Sequence, residues 1–174
     1  LMVWSTVNQL PKRWTLWNLA KKEAVVRYAP DLPHFRDRKN IHVSPGGKWV
    51  AFADERSQSI YVCETETGLV KTVVDAPRSK LGQVLDCLGV RFSPDGQEFA
   101  AYAGNAAEVA LCAWNLTTGY KEADIHIAPM NIHNSGSGMG DWNRYRGPAL
   151  EWFPDGSAWL IYGQSIIDRS SGTL

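Results

Sequence analysis

The sequence predicts an all-β protein built from repeated units of four antiparallel strands, and three observations predict it. First, a Ser/Phe-Pro-Asp/Gly-Gly turn occurs three times, as Ser44-Pro45-Gly46-Gly47, Ser93-Pro94-Asp95-Gly96 and Phe153-Pro154-Asp155-Gly156. Second, each turn is followed 16 to 23 residues later by a glycine that closes another apolar run: Gly68, Gly119 or Gly172. Third, the turns begin 49 and then 60 residues apart. A recurrence of that length is the mark of stacked units rather than of one irregular domain.

Each element then falls into register. Leu1 to Thr6 reads as a second strand with no first strand before it. Leu16 to Arg27 carries Leu19, Ala20, Ala24 and two lysines, which would suit a short amphipathic helix. However, Trp17-Asn18-Leu19 aligns with Trp114-Asn115-Leu116 and puts Lys22 where the closing glycine would be, so this stretch is assigned as third and fourth strands. Second strands are expected at Trp49 to Ala53, Phe99 to Ala103 and Trp159 to Tyr162. Third strands follow at Ser59 to Cys63, Val109 to Leu116 and Ser165 to Ile167, and fourth strands at Leu69 to Val74 and Tyr120 to Ile127. Pro and Gly are excluded from central strands, so they punctuate these runs.

Residue types agree with the assignment. Val25-Val26, Val73-Val74 and Ile166-Ile167 are β-branched pairs, which pack well on a pleated surface. Val109 to Trp114 is apolar on both alternating faces, as expected of a strand covered on both sides. Tyr120 to Ile127 alternates apolar residues with Lys121, Glu122, Asp124 and His126, which suits an outer strand facing water. Gly163-Gln164 predicts a tight hairpin with glycine at the first turn position.

The residues now in hand resemble the WD40 β-propeller family. Phe92-Ser93-Pro94-Asp95-Gly96 followed by Trp114-Asn115-Leu116-Thr117-Thr118-Gly119 is similar to one repeat, with Asn115 in place of the usual Asp. Trp17-Asn18-Leu19 is similar to the tail of an earlier one. The blades are divergent, because Cys63 and Ile167 stand where the tryptophan is expected. The places of the opening Gly-His pair hold Pro33-His34, Gly82-Gln83 and Trp142-Asn143, and Glu108 is the stand-in for the family's buried aspartate. The Pro-Asp-Gly turns also resemble TolB-like and prolyl-oligopeptidase propellers, and Trp-Asn-Leu-Thr-Thr-Gly favours WD40.

The resemblance implies an all-β fold of propeller blades, with about three to four blades present in an incomplete ring. An incomplete blade is expected over 1–29, whole blades over 30–76 and 77–127, and an incomplete blade over 128–174 with a long insert at 128–147. A segment of a longer propeller is expected rather than a ring completed by a second copy, since Leu1 is not a natural start. Unpaired blade edges would invite self-association.

Composition excludes little. Eighteen basic residues balance 18 acidic ones, which gives no general argument for nucleic acid or membranes. No apolar run approaches the roughly 20 residues that span a bilayer. Cys63, Cys87 and Cys112 form no CxxC pair, and their odd number suits free thiols in a reducing compartment, so a cytoplasmic location is expected. The sequon Asn115-Leu116-Thr117 coincides with a strand end of the repeat and is read as structural.

No catalytic, cofactor or metal residues are expected. The chain has no Gly-x-Ser-x-Gly elbow and no phosphate-binding loop, and Ser135 to Gly140 reads as a flexible glycine-rich loop. His126 and His133 with Asp124 or Asp141 lack a zinc spacing, and Asp95 and Asp155 are turn formers. The loops carry the better signal. In a propeller the connections at about 30–40, 76–88 and 128–147 would share one face. They hold seven Lys/Arg against four Asp.

That face predicts a non-catalytic scaffold that binds a protein or acidic peptide. Its contact residues would be Phe35, Arg36, Arg38 and Lys39 with Trp142, Arg144, Tyr145 and Arg146, joined by Arg78 and Lys80. The alternative expectation is the propeller part of a larger hydrolase or kinase, gating or docking its substrate.

Overall fold

The computed structural model describes residues 2–4, 14–18, 23–27, 41–54, 58–105, 108–127 and 150–173. Among these residues fourteen strands form four antiparallel sheets, and within each sheet spatial order follows chain order. Blade one contains β1 (Met2–Trp4), β2 (Trp14–Asn18) and β3 (Glu23–Arg27). Blade two contains β4 (Ile41–Val43), β5 (Trp49–Asp54), β6 (Ser59–Glu64) and β7 (Val70–Asp75). Blade three contains β8 (Asp86–Phe92), β9 (Glu98–Gly104), β10 (Val109–Asn115) and β11 (Lys121–Ile127). Blade four contains β12 (Leu150–Trp152), β13 (Ala158–Ile161) and β14 (Ser165–Asp168). Among the described residues the sheets do not close a ring. The segment with a possible helical reading is the hairpin β2–β3, in register at Trp17 and Ala24.

The repeated glycines perform the same jobs in blades two, three and four. Gly47, Gly96 and Gly156 have φ of 77°, 70° and 75°. Their N–H groups donate to Ser44, Ser93 and Phe153 at 2.9 Å and close the first turn. The second turn is equally regular: Gly68, Gly119 and Gly172 donate to Glu64, Asn115 and Asp168 at 2.8 to 2.9 Å. A residue with a side chain would be strained at such φ, which is why glycine recurs at these places in successive blades. Asn115 caps the second turn of blade three, since its side-chain oxygen accepts from the N–H of Thr117 and Thr118.

Blade three is packed on both faces. Ala51, Ile60 and Val62 of blade two meet Phe99, Ala101, Cys112 and Trp114 of blade three. On the other side Ala100, Tyr102, Leu111 and Ala113 meet Leu150, Trp159, Ile161 and Ile167 of blade four. Val109 to Trp114 is buried throughout, as its two apolar faces require. Alanines dominate β9 because two sheets approach it at once. Phe99 stacks on Trp114 at 5.2 Å between centroids and fills the remaining space.

Polar ties fix the same interfaces. The N–H of Phe92 donates to Nδ1 of His42 at 3.0 Å, and the Trp152 indole donates to the carbonyl of Arg91 at 3.3 Å. Arg169 of blade four pairs with Glu98 of blade three at 2.6 Å and lies over the rings of Trp152 and Trp159. One expectation is corrected. The turn between β13 and β14 has positive φ at Tyr162 and Gly163, and Gln164 N–H donates to Ile161. Gly163 therefore takes the second central place rather than the first.

Candidate functional site

Of the three connections expected to share a face, only the one between blades two and three lies within the described residues. Phe35, Arg36, Arg38, Lys39, Trp142, Arg144, Tyr145 and Arg146 lie outside them, as does the Ser135–Gly140 stretch. Arg78 and Lys80 are described, and both are exposed.

The connection is not a slack loop. Arg78 pairs with Val84 in an isolated antiparallel bridge. Ser79 N–H donates to Gln83 at 2.7 Å, and Gly82 N–H donates to Ser79 at 2.8 Å. The Ser79 hydroxyl oxygen accepts from Gln83 N–H, and the Arg78 guanidinium donates to the Gly82 carbonyl. Glycine is required at the tip, where φ is 77°. Behind the tip, Leu85 is buried against Ala103 and Ala110 and roots this small hairpin in blade three.

A second tie comes from the β9–β10 connection. The Glu108 carboxylate accepts the backbone N–H of Lys80 at 2.9 Å and meets Nδ1 of His126 at 2.7 Å. Glu108 is therefore not a buried aspartate substitute inside the blade: it is partly exposed at the rim, where it joins the hairpin to β11. The Lys80 N–H foremost, and then His126, hold its carboxyl below the usual range.

An open cleft of about 430 Å³ lies beside the hairpin, lined by Asp75, Arg78, Ser79, Trp114, Lys121, Asp124 and His126 among others. Asp124 is its hub. Lys121 Nζ lies 2.8 Å from one carboxylate oxygen, while Cys112 Sγ and His126 Nε2 each lie 3.3 Å from the other. Burial pushes Asp124 up, but the hydrogen bonds from Lys121 and Cys112 outweigh it and leave the carboxyl below its ordinary value. Burial, reinforced by the Asp124 charge, pushes the Cys112 thiol up to about 12, and burial pushes Cys63 up to about 11. Neither thiol is a nucleophile near neutral pH, since the thiolate is the reactive form. Among the described residues no three His, Cys, Asp or Glu side chains are arranged to hold a metal ion.

The repeat supplies an internal comparison. Both outer strands carry a bulge at the same place, between Val62 and Cys63 opposite β7 and between Ala113 and Trp114 opposite β11. Aligning the bulges sets Lys121, Asp124 and His126 of blade three against Val70, Val73 and Asp75 of blade two. Between these two strands, Lys121 and Asp124 are thus particular to blade three, whereas the place of His126 is polar in both. The sequence marks Asp124 and His126 as polar residues of an outer strand without a zinc spacing, but not the link through His126 to Glu108, which depends on strand register. The Asp124-x-His126 spacing, which puts both residues on one strand face, was the available signal.

No protein-family model matches this chain, and no curated protein sequence does either. Solved structures do. Kuenenia stuttgartiensis hydrazine synthase superposes with a TM-score of 0.57 at 16% identity, over 92% of this chain and 41% of that one. The dihydro-heme d1 dehydrogenase NirN, in complex with DHE, gives 0.54 at 17% identity, over 92% and 31%. The β-propeller domain of Myceliophteria thermophila Cps50 (Swd1) gives 0.51 at 12% identity, over 93% and 46%. The chain spans less than half the length of each of these. Identities this low carry the fold alone, and that fold is the β-propeller, present here as four successive blades of three or four strands.

Proposed function

We propose that this chain is a non-catalytic interaction scaffold that binds a protein or acidic peptide through the face formed by its interblade connections. One observation carries the reading: the described connection is a braced hairpin that holds Arg78 and Lys80 outward on a rigid blade. Rigid presentation lowers the ordering cost of binding, and Arg is among the residue types that anchor interfaces. The neighbouring connections would add Phe35, Arg36, Arg38 and Lys39 on one side and Trp142, Arg144, Tyr145 and Arg146 on the other. Three free cysteines suit a reducing compartment such as the cytoplasm. Among the described residues no helix is long and apolar enough to cross a membrane.

The test is a triple substitution. Trp142→Ala, Arg144→Ala and Arg146→Ala together should abolish capture of an acidic partner while the circular dichroism melt stays in place. Unchanged capture would sink the reading.

A second reading has its own support. Two of the neighbours are enzymes by name, and this chain covers well under half of either. The blades would then belong to a larger enzyme and would dock or gate its substrate. A Gly-x-Ser-x-Gly elbow, kinase motifs or a cofactor-binding domain in flanking sequence would favour that reading.

A further inference from the structure

We propose that the Arg78–Val84 hairpin is a preformed docking finger for a partner segment that sets an acidic side chain beside a bulky apolar one. This rests on the scaffold reading above and names the element and the chemistry within it. Leu81, at the tip, is 86% exposed. Turn tips ordinarily carry small or polar residues that tolerate water and tight geometry. A leucine held out there gains nothing for the fold.

The other strongly exposed apolar residues have a different origin. Leu69 and Tyr120 each follow a closing glycine, Gly68 or Gly119, at the same place in successive blades, so they belong to the repeat. Leu81 belongs to the connection and not to that pattern. Its hairpin is also braced beyond what a linker needs, by five hydrogen bonds: Ser79 N–H to Gln83, Gln83 N–H to the Ser79 hydroxyl, Gly82 N–H to Ser79, the Arg78 guanidinium to Gly82, and Lys80 N–H to Glu108. Binding such an element costs little conformational entropy.

Charge chooses the partner. From Pro77 to Val84 the hairpin carries Arg78 and Lys80 and no acid. The carboxylate bonded to it, Glu108, takes its hydrogen bonds from the Lys80 backbone and from His126, and the Lys80 ammonium acts on it only through space. An acidic side chain would meet the Lys80 ammonium while an apolar pocket received Leu81.

The test is selection of a display library of random short peptides on the whole chain, followed by affinity measurement on variants. Support requires recovered peptides that place Asp or Glu next to Leu, Phe or Trp. It also requires Leu81→Ser and Lys80→Glu each to weaken them about tenfold or more, Lys80→Arg to retain binding, and the melts of all variants to coincide with wild type. Peptides that bind Leu81→Ser and Lys80→Glu as tightly as wild type overturn the finger. If the Trp142/Arg144/Arg146 triple variant then loses those peptides, the scaffold face stands without it. If no variant loses them, both readings fail. Recovery of basic peptides, or of none, overturns the finger as well.

Discussion

His42 shows how one side chain ties two blades and makes their union sensitive to acid. Its Nδ1 accepts the N–H of Phe92, so the ring must stay neutral for that bond to hold. Burial foremost, and then the Arg91 charge, lower its pKa from the usual 6.5 to about 4. The folded value lies below the unfolded one, so the unfolded chain takes up the proton first as pH falls. The stability contributed is complete above about 6.5 and disappears between there and about 4. Asp168 has its own, lower window: hydrogen bonds from Ser170 and Ser171 depress its carboxyl to about 2. That contribution is present above about 4 and disappears as pH falls towards 2. Urea titrations across pH should therefore show two falls in stability. His42→Gln should flatten the upper one, and Asp168→Asn should shrink the lower one, which Asp95, Glu108, Asp124 and Asp155 share because their carboxyls are lowered too. If His42→Gln keeps the full slope between pH 6.5 and 4, another group sets it.

Among the elements, β9 and β10 carry the packing. Ala101 on β9 is fully buried and pairs with Val90 on one side and Cys112 on the other, on the face that meets blade two. Extra methylenes there have nowhere to go, because closely packed interiors do not yield easily. Ala101→Leu should cost about 1–3 kcal/mol by urea denaturation. Glu122→Leu, on the exposed outer strand β11, should stay within about 0.5 kcal/mol. An Ala101→Leu variant as stable as wild type would mean that the blades are farther apart than described.

At the scale of the molecule, the arrangement predicts a gradient of stability. Blade three is covered on both faces, and its inner strands lie between hydrogen-bonded neighbours. Among the described residues the outer strands β7 and β11 are each paired along one edge and carry several exposed positions. Amide hydrogen exchange should protect β9 and β10 most and the outer strands least. Equal protection across blade three would contradict that ranking.

Much of this was legible before folding. Strand type, strand order within a blade and the two turns per repeat follow from Pro, Gly and apolar runs. These are local matters, decided by φ and by period-two burial. Even the both-faces burial of Val109 to Trp114 could be read from its composition. Other features were not legible because they join residues far apart in the chain. The tie of Glu108 to Lys80 and His126, the bond from Phe92 to His42 and the pairing of Arg169 with Glu98 each depend on how neighbouring blades and strands are set together. The hairpin that holds Leu81 outward is of the same kind, since its bracing draws on a carboxylate 28 residues away. The sequence by itself determined the blades. Only the tertiary structure decided which polar groups meet between them, because backbone propensity acts within a few residues and side-chain pairing acts across the space that packed sheets create.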